Sequence, residues 1–309
     1  MKDLTNKMLN KLADSIVGKK ASQQKLLDVE EKASDNISAQ QDGLMPSCED
    51  RELIERTKYR LFQQEVNRQR NLEDILEKAD AALTVDGGEQ QTEQEVDGDW
   101  FKQFTNYAQD ISNEDLRTLW ARILANEVKR PDTYSLRTLD FLRLLSKKEA
   151  EVIRSMAQFV LYDVNDDAYI LNSKTTEEFK FNEIMVLMEL GLLDNSSGLA
   201  INVEKRGAPT INFFLHHHGT GLFVFTEQEK LFVHIYKLTS MGKEIMALND
   251  NVPLNINYVK DYVESAMKSD PTMTATCAPI VKMDGNNVDL DEGHAYFKLE
   301  SKFEKKEGK

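Results

Sequence analysis

The sequence predicts an α+β protein dominated by helix, with a helical N-terminal and central bundle followed by a small winged-helix-like domain. Three observations carry this reading. Helix breakers are scarce, with 6 Pro and 14 Gly in 309 residues. Up to about residue 160, apolar residues recur every three or four positions, the period of a helix with one buried face. Beyond residue 161 short apolar or alternating runs are separated by turn residues, as in strands. The chain is 40% hydrophobic and 30% charged, which supplies a core and excludes collagen-like and wholly disordered classes.

In chain order, Leu4, Met8, Leu9, Leu12, Ile16 and Val17 mark a short amphipathic helix with a basic side formed by Lys2, Lys7, Lys11, Lys19 and Lys20. Docking on its own domain or a partner subunit is favoured over a membrane surface for residues 1–20, because aromatic anchors are missing. Residues 35–47 lose periodicity and read as a linker, so residues 1–48 form a first segment. Residues 49–83 lack Gly and Pro and read as one helix about 50 Å long, with a polar middle at Asn67 to Asn71. Residues 84–99 carry acids without a basic residue, plus Gly87-Gly88, and read as an acidic loop. Trp100 to Ala108 resumes helical spacing. Ser112-Asn113-Glu114-Asp115 resembles a capping box for the next helix, Ser135 caps another, and Ser146 with Glu149 opens one more to about Val160. Short connections among these helices, within 49–160, predict antiparallel packing in a bundle.

From 161 to 268 the pattern predicts a strand at Tyr169 to Leu171, a helix at Phe181 to Leu190, a hairpin around His216 to Gly221, a strand at Leu231 to Leu238, and helices after Thr239 and Asn257. A helix ending in Leu-Gly-Leu-Leu, a hairpin and then Leu-Thr-x-x-Gly resembles a winged-helix domain. Residues 269–309 read as a peripheral extension with one hairpin at Gly285-Asn286.

Thirty-nine Lys and Arg against 53 Asp and Glu leave a formal charge of −14, so the chain as a whole repels nucleic acid and anionic lipid. The expected recognition helix, with Glu183 and Glu189, is acidic. DNA or RNA is therefore the lesser expectation, and a protein partner or self-association the greater. Cys48 and Cys277 sit in no ligand spacing, which excludes a disulfide framework or zinc ribbon. The N-terminus has no apolar signal run and no stretch reaches a membrane span, which gives a cytoplasmic expectation.

Chemistry is sparse. His216 and His218 would share one strand face with His217 on the other, and two ligands do not make a metal site. Gly219-Thr220-Gly221 lacks the Lys and helix of a phosphate loop. No nucleophile or zinc-hydrolase motif occurs, so no catalytic, cofactor or metal residue is expected. The candidate partner-binding residues are the basic stripe Arg56, Arg60 and Arg70 on the long helix and the hairpin tip His216, His217 and His218.

The segments Arg68-Gln-Arg-Asn-Leu-Glu73, Asp110-Ile-Ser-Asn-Glu-Asp-Leu116, Leu119-Trp-Ala-Arg-Ile-Leu-Ala125 and Ser135-Leu-Arg-Thr-Leu139 resemble a bacterial domain-of-unknown-function family. That family is distantly similar to the Abi-alpha proteins, grouped with abortive infection against phage. The resemblance supplies no catalytic residue. Physically, the Trp120 helix is a packing motif, with Ala121 and Ala125 permitting close approach, and Glu127 and Arg137 flank one turn where an ion pair is expected. The function expected is a non-enzymatic interaction or sensor protein, with phage defence implied by the resemblance alone. The alternatives are a winged-helix nucleic-acid regulator and a hydrolase without a familiar motif.

Overall fold

The computed structural model describes residues 48–85, 94–172, 181–194, 199–205, 207–285 and 287–300. The N-terminal helix and linker expected within 1–47, and residues 86–93 of the acidic loop, lie outside them. The chain divides into two compact units, Met1–Arg143 and Leu144–Lys309.

The first unit holds α1 (Cys48–Val85), α2 (Gly98–Ala108), α3 (Glu114–Lys129) and α4 (Leu136–Leu144). The 38 residues of α1 are continuous, because nothing in them breaks the hydrogen-bond ladder. Its C-terminal part packs on α3 through buried Leu72, Ile75, Leu76 and Ala79. Asn113 is the N-cap of α3, accepting from Leu116 N at 3.1 Å, one residue after the Ser112 that the sequence suggests. Of the expected apolar stripe of α3, Trp120, Ile123, Leu124 and Val128 are buried, while Leu119 is half-buried and Leu116 is exposed. Trp120 lies 5.3 Å from the Phe104 ring and edge-on to Tyr107 at 6.4 Å. Aromatic contacts of this kind are worth about 0.5–1.5 kcal/mol beyond the area they bury.

The second unit holds α5 (Lys147–Met156), β1 (Val160–Tyr162), β2 (Ala168–Leu171), α6 (Phe181–Glu189), β3 (Ala200–Glu204), β4 (Ile211–His217), β5 (Thr220–Thr226) and β6 (Lys230–Lys237). It continues with α7 (Ser240–Ala247), α8 (Ile256–Met267), β7 (Thr274–Asp284), β8 (Asn287–Leu290) and β9 (Phe297–Leu299). Ser146 and Glu149 form the expected capping box of α5. The strands form one nine-stranded antiparallel sheet in the order β3-β6-β2-β1-β4-β5-β7-β8, with β9 also on β7. In β6 the period of two is plain: Leu231, Val233 and Ile235 are buried while Lys230, Phe232 and His234 are exposed. The β4–β5 hairpin turns through His218 (φ 37°) and Gly219 (φ 84°), the two positive φ angles that let a two-residue turn match strand twist. Gly221 makes room for its neighbours: a Cβ there would lie 2.6 Å from Leu290 Cδ2 and 2.9 Å from Phe214 Cε2, so those side chains would have to shift.

This sheet overturns the expected architecture of a helical bundle followed by a small winged-helix-like domain. The β4–β5 hairpin, read as a wing, lies inside the sheet: β4 is bonded to β1 as well as β5, and β5 to β7. The segment expected at the periphery supplies β7, with Ala275, Cys277 and Ala278 buried. Helix α5, assigned by sequence to the bundle, belongs to the sheet-bearing unit and contacts α6. Local patterning reveals that a strand exists; its neighbour is decided by residues far away in sequence.

Candidate interaction surface

The polar middle of α1 has a structural reason. Arg68 Nε donates to Asp110 Oδ1 at 2.8 Å and its Nη1 to Glu65 at 2.8 Å. Asp110 first and Glu65 second hold the Arg68 guanidinium above its ordinary value. Asn71 Nδ2 donates to Gln109 O at 2.9 Å, at the end of α2. Deeper along the helix, Lys78 bridges Asp74 and Glu114, and Arg117 of α3 pairs with the same two carboxylates. Arg117 first and Lys78 second hold the Glu114 carboxyl below the usual carboxylate range. The Arg-Gln-x-Asn-Leu-Glu segment is thus a clamp: Arg68 and Asn71 fix α1 to the end of α2, and Leu72 starts the buried stripe.

N-terminal to that clamp, α1 leaves its packing. Residues 51–63 are exposed except for a half-buried Thr57, a stretch of about 20 Å at 1.5 Å per residue. It presents Leu53, Ile54, Tyr59, Leu61 and Phe62, from 43% to 68% exposed. With successive residues about 100° apart around the axis, Ile54 and Leu61 fall on the face that carries Leu72, Ile75 and Ala79 further on. Sequence periodicity marked that stripe, but it did not reveal where burial ends; the signal is the charge of Arg68 on the same face.

Arg56, Arg60 and Arg70, the expected basic stripe, are exposed and lie roughly opposite Ile54 and Leu61 around the helix. Arg56 is spanned by Glu52 at 3.4 Å, while Arg60 and Arg70 make no ion pair among the described residues.

The three histidines part company. His217 is 2% exposed and cannot meet a partner. The tip surface comprises His218, exposed, and His216, half-buried beside the Tyr162 ring at 5.7 Å. Burial is the first cause pushing both His216 and His218 below the ordinary value, and it pushes the Tyr162 phenol up to about 12. Tyr162 was not legible as their neighbour, because only the β1–β4 register places it opposite His216.

Trp120 is 1% exposed, and so is Glu127. The expected Glu127–Arg137 ion pair is absent. Glu127 instead accepts the backbone N–H groups of Asp132 at 2.7 Å and Tyr134 at 3.0 Å, while Arg137 is exposed. The turn brings its own backbone donors to the buried carboxylate, and the long Arg137 side chain stays in water.

Among the described residues no group of three or more His, Cys, Asp or Glu is placed to hold a metal ion, and no helix is long and apolar enough to cross a membrane. An apolar cavity between the sheet and α8, lined by Leu215, Val224, Val233 and Val263 among others, measures about 30 Å³. That is water-sized, far below the few hundred Å³ of a small-molecule site.

Fold and surface together define a two-unit protein with a large antiparallel sheet and an exposed helical arm. Its residues 55–262 match the family described as protein of unknown function (DUF2806), and the chain belongs to that family. No curated protein and no solved structure matches it.

Proposed function

We propose that this chain is a non-enzymatic protein-interaction protein of bacterial phage defence, which engages its partner through the exposed N-terminal arm of α1. The observation that carries the reading is the continuity of one helix face, packed from Leu72 to Ala79 and exposed at Ile54 and Leu61. Contiguous exposed apolar side chains on a rigid helix suit a groove or helix of another protein, the mode in which residues three and four apart act as anchors. Arg60 and Arg70, which make no ion pair among the described residues, add charge that steers an acidic partner. The phage-defence setting rests on the likeness of the Leu119 to Ala125 segment to Abi-alpha proteins.

The experiment compares wild type with Leu61→Glu/Phe62→Glu in a bacterial host challenged with a phage panel. Both substitutions fall on exposed positions, so thermal stability should change by no more than about 0.5 kcal/mol. Wild type should lower plating efficiency and the variant should not. A folded variant that protects as well as wild type removes this surface, and a wild type that protects against no phage removes the defence assignment. Sedimentation of the purified chain separates a second copy from a different protein as the occupant.

A further inference from the structure

His217 is held between two acceptors. Its Nδ1 lies 2.7 Å from the Val160 carbonyl oxygen of β1, and its Nε2 lies 2.7 Å from the Val252 carbonyl oxygen in the connection from α7 to α8. A carbonyl oxygen only accepts. A neutral imidazole donates from one nitrogen and presents a lone pair on the other, so it satisfies one of these carbonyls and repels the other; a ring with hydrogen on both nitrogens satisfies both.

We propose that His217 is a proton-operated clamp, which ties β1 to the α7–α8 connection when both ring nitrogens carry hydrogen and releases one of the two ties when a proton leaves. The surroundings agree. His216 beside it on β4 and His218 in the turn are both pushed toward the neutral form, first by burial. The other titratable groups facing the cluster are Tyr162 on β1, Asp163 and Asp166 in the β1–β2 turn, and Asp250 after α7. The clamped connection leads directly into α8, whose cap Asn255 donates its backbone N–H to Gln158 O at 2.9 Å and whose Tyr258 hydroxyl donates to Leu171 O. Release at Val252 would therefore loosen the entry of a helix that packs on the sheet.

Direction follows from the chemistry. Both ties are present on the acid side, and one is lost as pH rises and the ring gives up a proton. The test is nitrogen-detected NMR of the histidine rings in the full-length ¹⁵N-labelled chain between pH 5.5 and 8.5. On the acid side, His217 should show hydrogen on both nitrogens while His216 and His218 each keep one bare nitrogen. As pH rises, the change at His217 should coincide with shifts of the Val252 to Tyr258 amides. A bare nitrogen on His217 across the whole range overturns the proposal. Hydrogen exchange supplies a second measurement. His217→Phe keeps a ring and removes both donors, so amides of Asn255 to Val259 should exchange at least tenfold faster than in wild type at pH 6, with a smaller difference at pH 8. Equal protection at pH 6 overturns the clamp. If His217→Phe does not fold, the ring measurement on wild type still decides.

Discussion

The backbone N–H of Tyr134 donates to Glu127 Oε2 at 3.0 Å, and the Tyr134 carbonyl accepts from Trp100 Nε1 at 2.7 Å. One residue of a surface turn is thereby fixed by two buried side chains, one from α3 and one from α2. Asn126 adds a hydrogen bond from Nδ2 to the Tyr134 hydroxyl at 2.9 Å, and Asp132 holds the positive φ of 67° that brings the turn's N–H groups toward the carboxylate. The Trp-Ala-Arg-Ile-Leu-Ala-x-Glu segment therefore packs a helix and shapes the turn after it.

Replacing Glu127 by Leu should be strongly destabilising. It leaves the buried N–H of Tyr134 without an acceptor, costing roughly 1–3 kcal/mol, and removes the acceptor of the part-buried Asp132 N–H as well. Urea denaturation of the full chain reads this directly, and a loss under about 1 kcal/mol would mean that water replaces the carboxylate.

The same carboxyl should leave a mark on pH dependence. Burial pushes Glu127 above its ordinary value of 4.5, outweighing the backbone N–H groups that favour the charge. A carboxyl raised in the folded chain binds its proton more tightly there than in the unfolded chain. Its contribution therefore declines as pH rises from 4.5 through the raised value, and levels off above it. Glu127→Gln cannot ionise and keeps one acceptor oxygen for the two N–H groups, so it should be less stable than wild type by about 1–3 kcal/mol and lack this decline. Parallel stability–pH curves for wild type and Glu127→Gln would show that Glu127 does not titrate differently on folding.

Trp120→Ala should cost roughly 3–5 kcal/mol, the range for a large aromatic removed from a packed core. The indole is 1% exposed and bounded by Phe104 and Tyr107, so the site cannot collapse without moving α2. An unchanged denaturation midpoint would place Trp120 outside the cooperative core.

How much of this was readable in advance depends on the range of the interaction. Helix starts were legible where capping is local: Ser146 with Glu149 was read directly, and at α3 the cap shifted by a single residue to Asn113. The β4–β5 hairpin was legible because Gly219 demands a turn. Strand β1 was not, since Val160 to Tyr162 is three residues long and buried throughout, which leaves no alternation to separate it from the helix before it. Nor was β7 placed, since its pairing with β5 spans some fifty residues. In the candidate surface, the basic positions were visible as charges, but the exposed Ile54 and Leu61 looked identical in pattern to the buried Ile75 and Ala79. Only the position of α2 and α3 tells them apart.

The Leu-Thr-x-x-Gly segment, which suggested a winged helix, gives the last prediction. Thr239 is the N-cap of α7: its hydroxyl oxygen accepts from Gly242 N at 3.0 Å and the hydroxyl donates to Gly191 O at 2.8 Å. Gly242 faces the backbone of the turn after α6, where a Cβ would lie 2.0 Å from Leu192 O and 2.8 Å from its carbonyl carbon. Thr239 N also donates to Leu192 O at 3.0 Å, so the carbonyl cannot swing aside without breaking that bond. The motif is a device for seating a helix N-terminus on a turn, and here it does so within a large antiparallel sheet rather than a winged-helix domain. Gly242→Ala should therefore cost about 1–3 kcal/mol or more through overpacking, although Ala ordinarily gains up to about 1 kcal/mol over Gly inside a helix. Ser240→Ala, at an exposed position of the same helix turn, is the control and should stay within about 0.5 kcal/mol. Denaturant midpoints of the two variants decide: a Gly242→Ala protein as stable as wild type would mean that α7 slides away from Leu192 without loss, and the close approach would then be incidental to the fold.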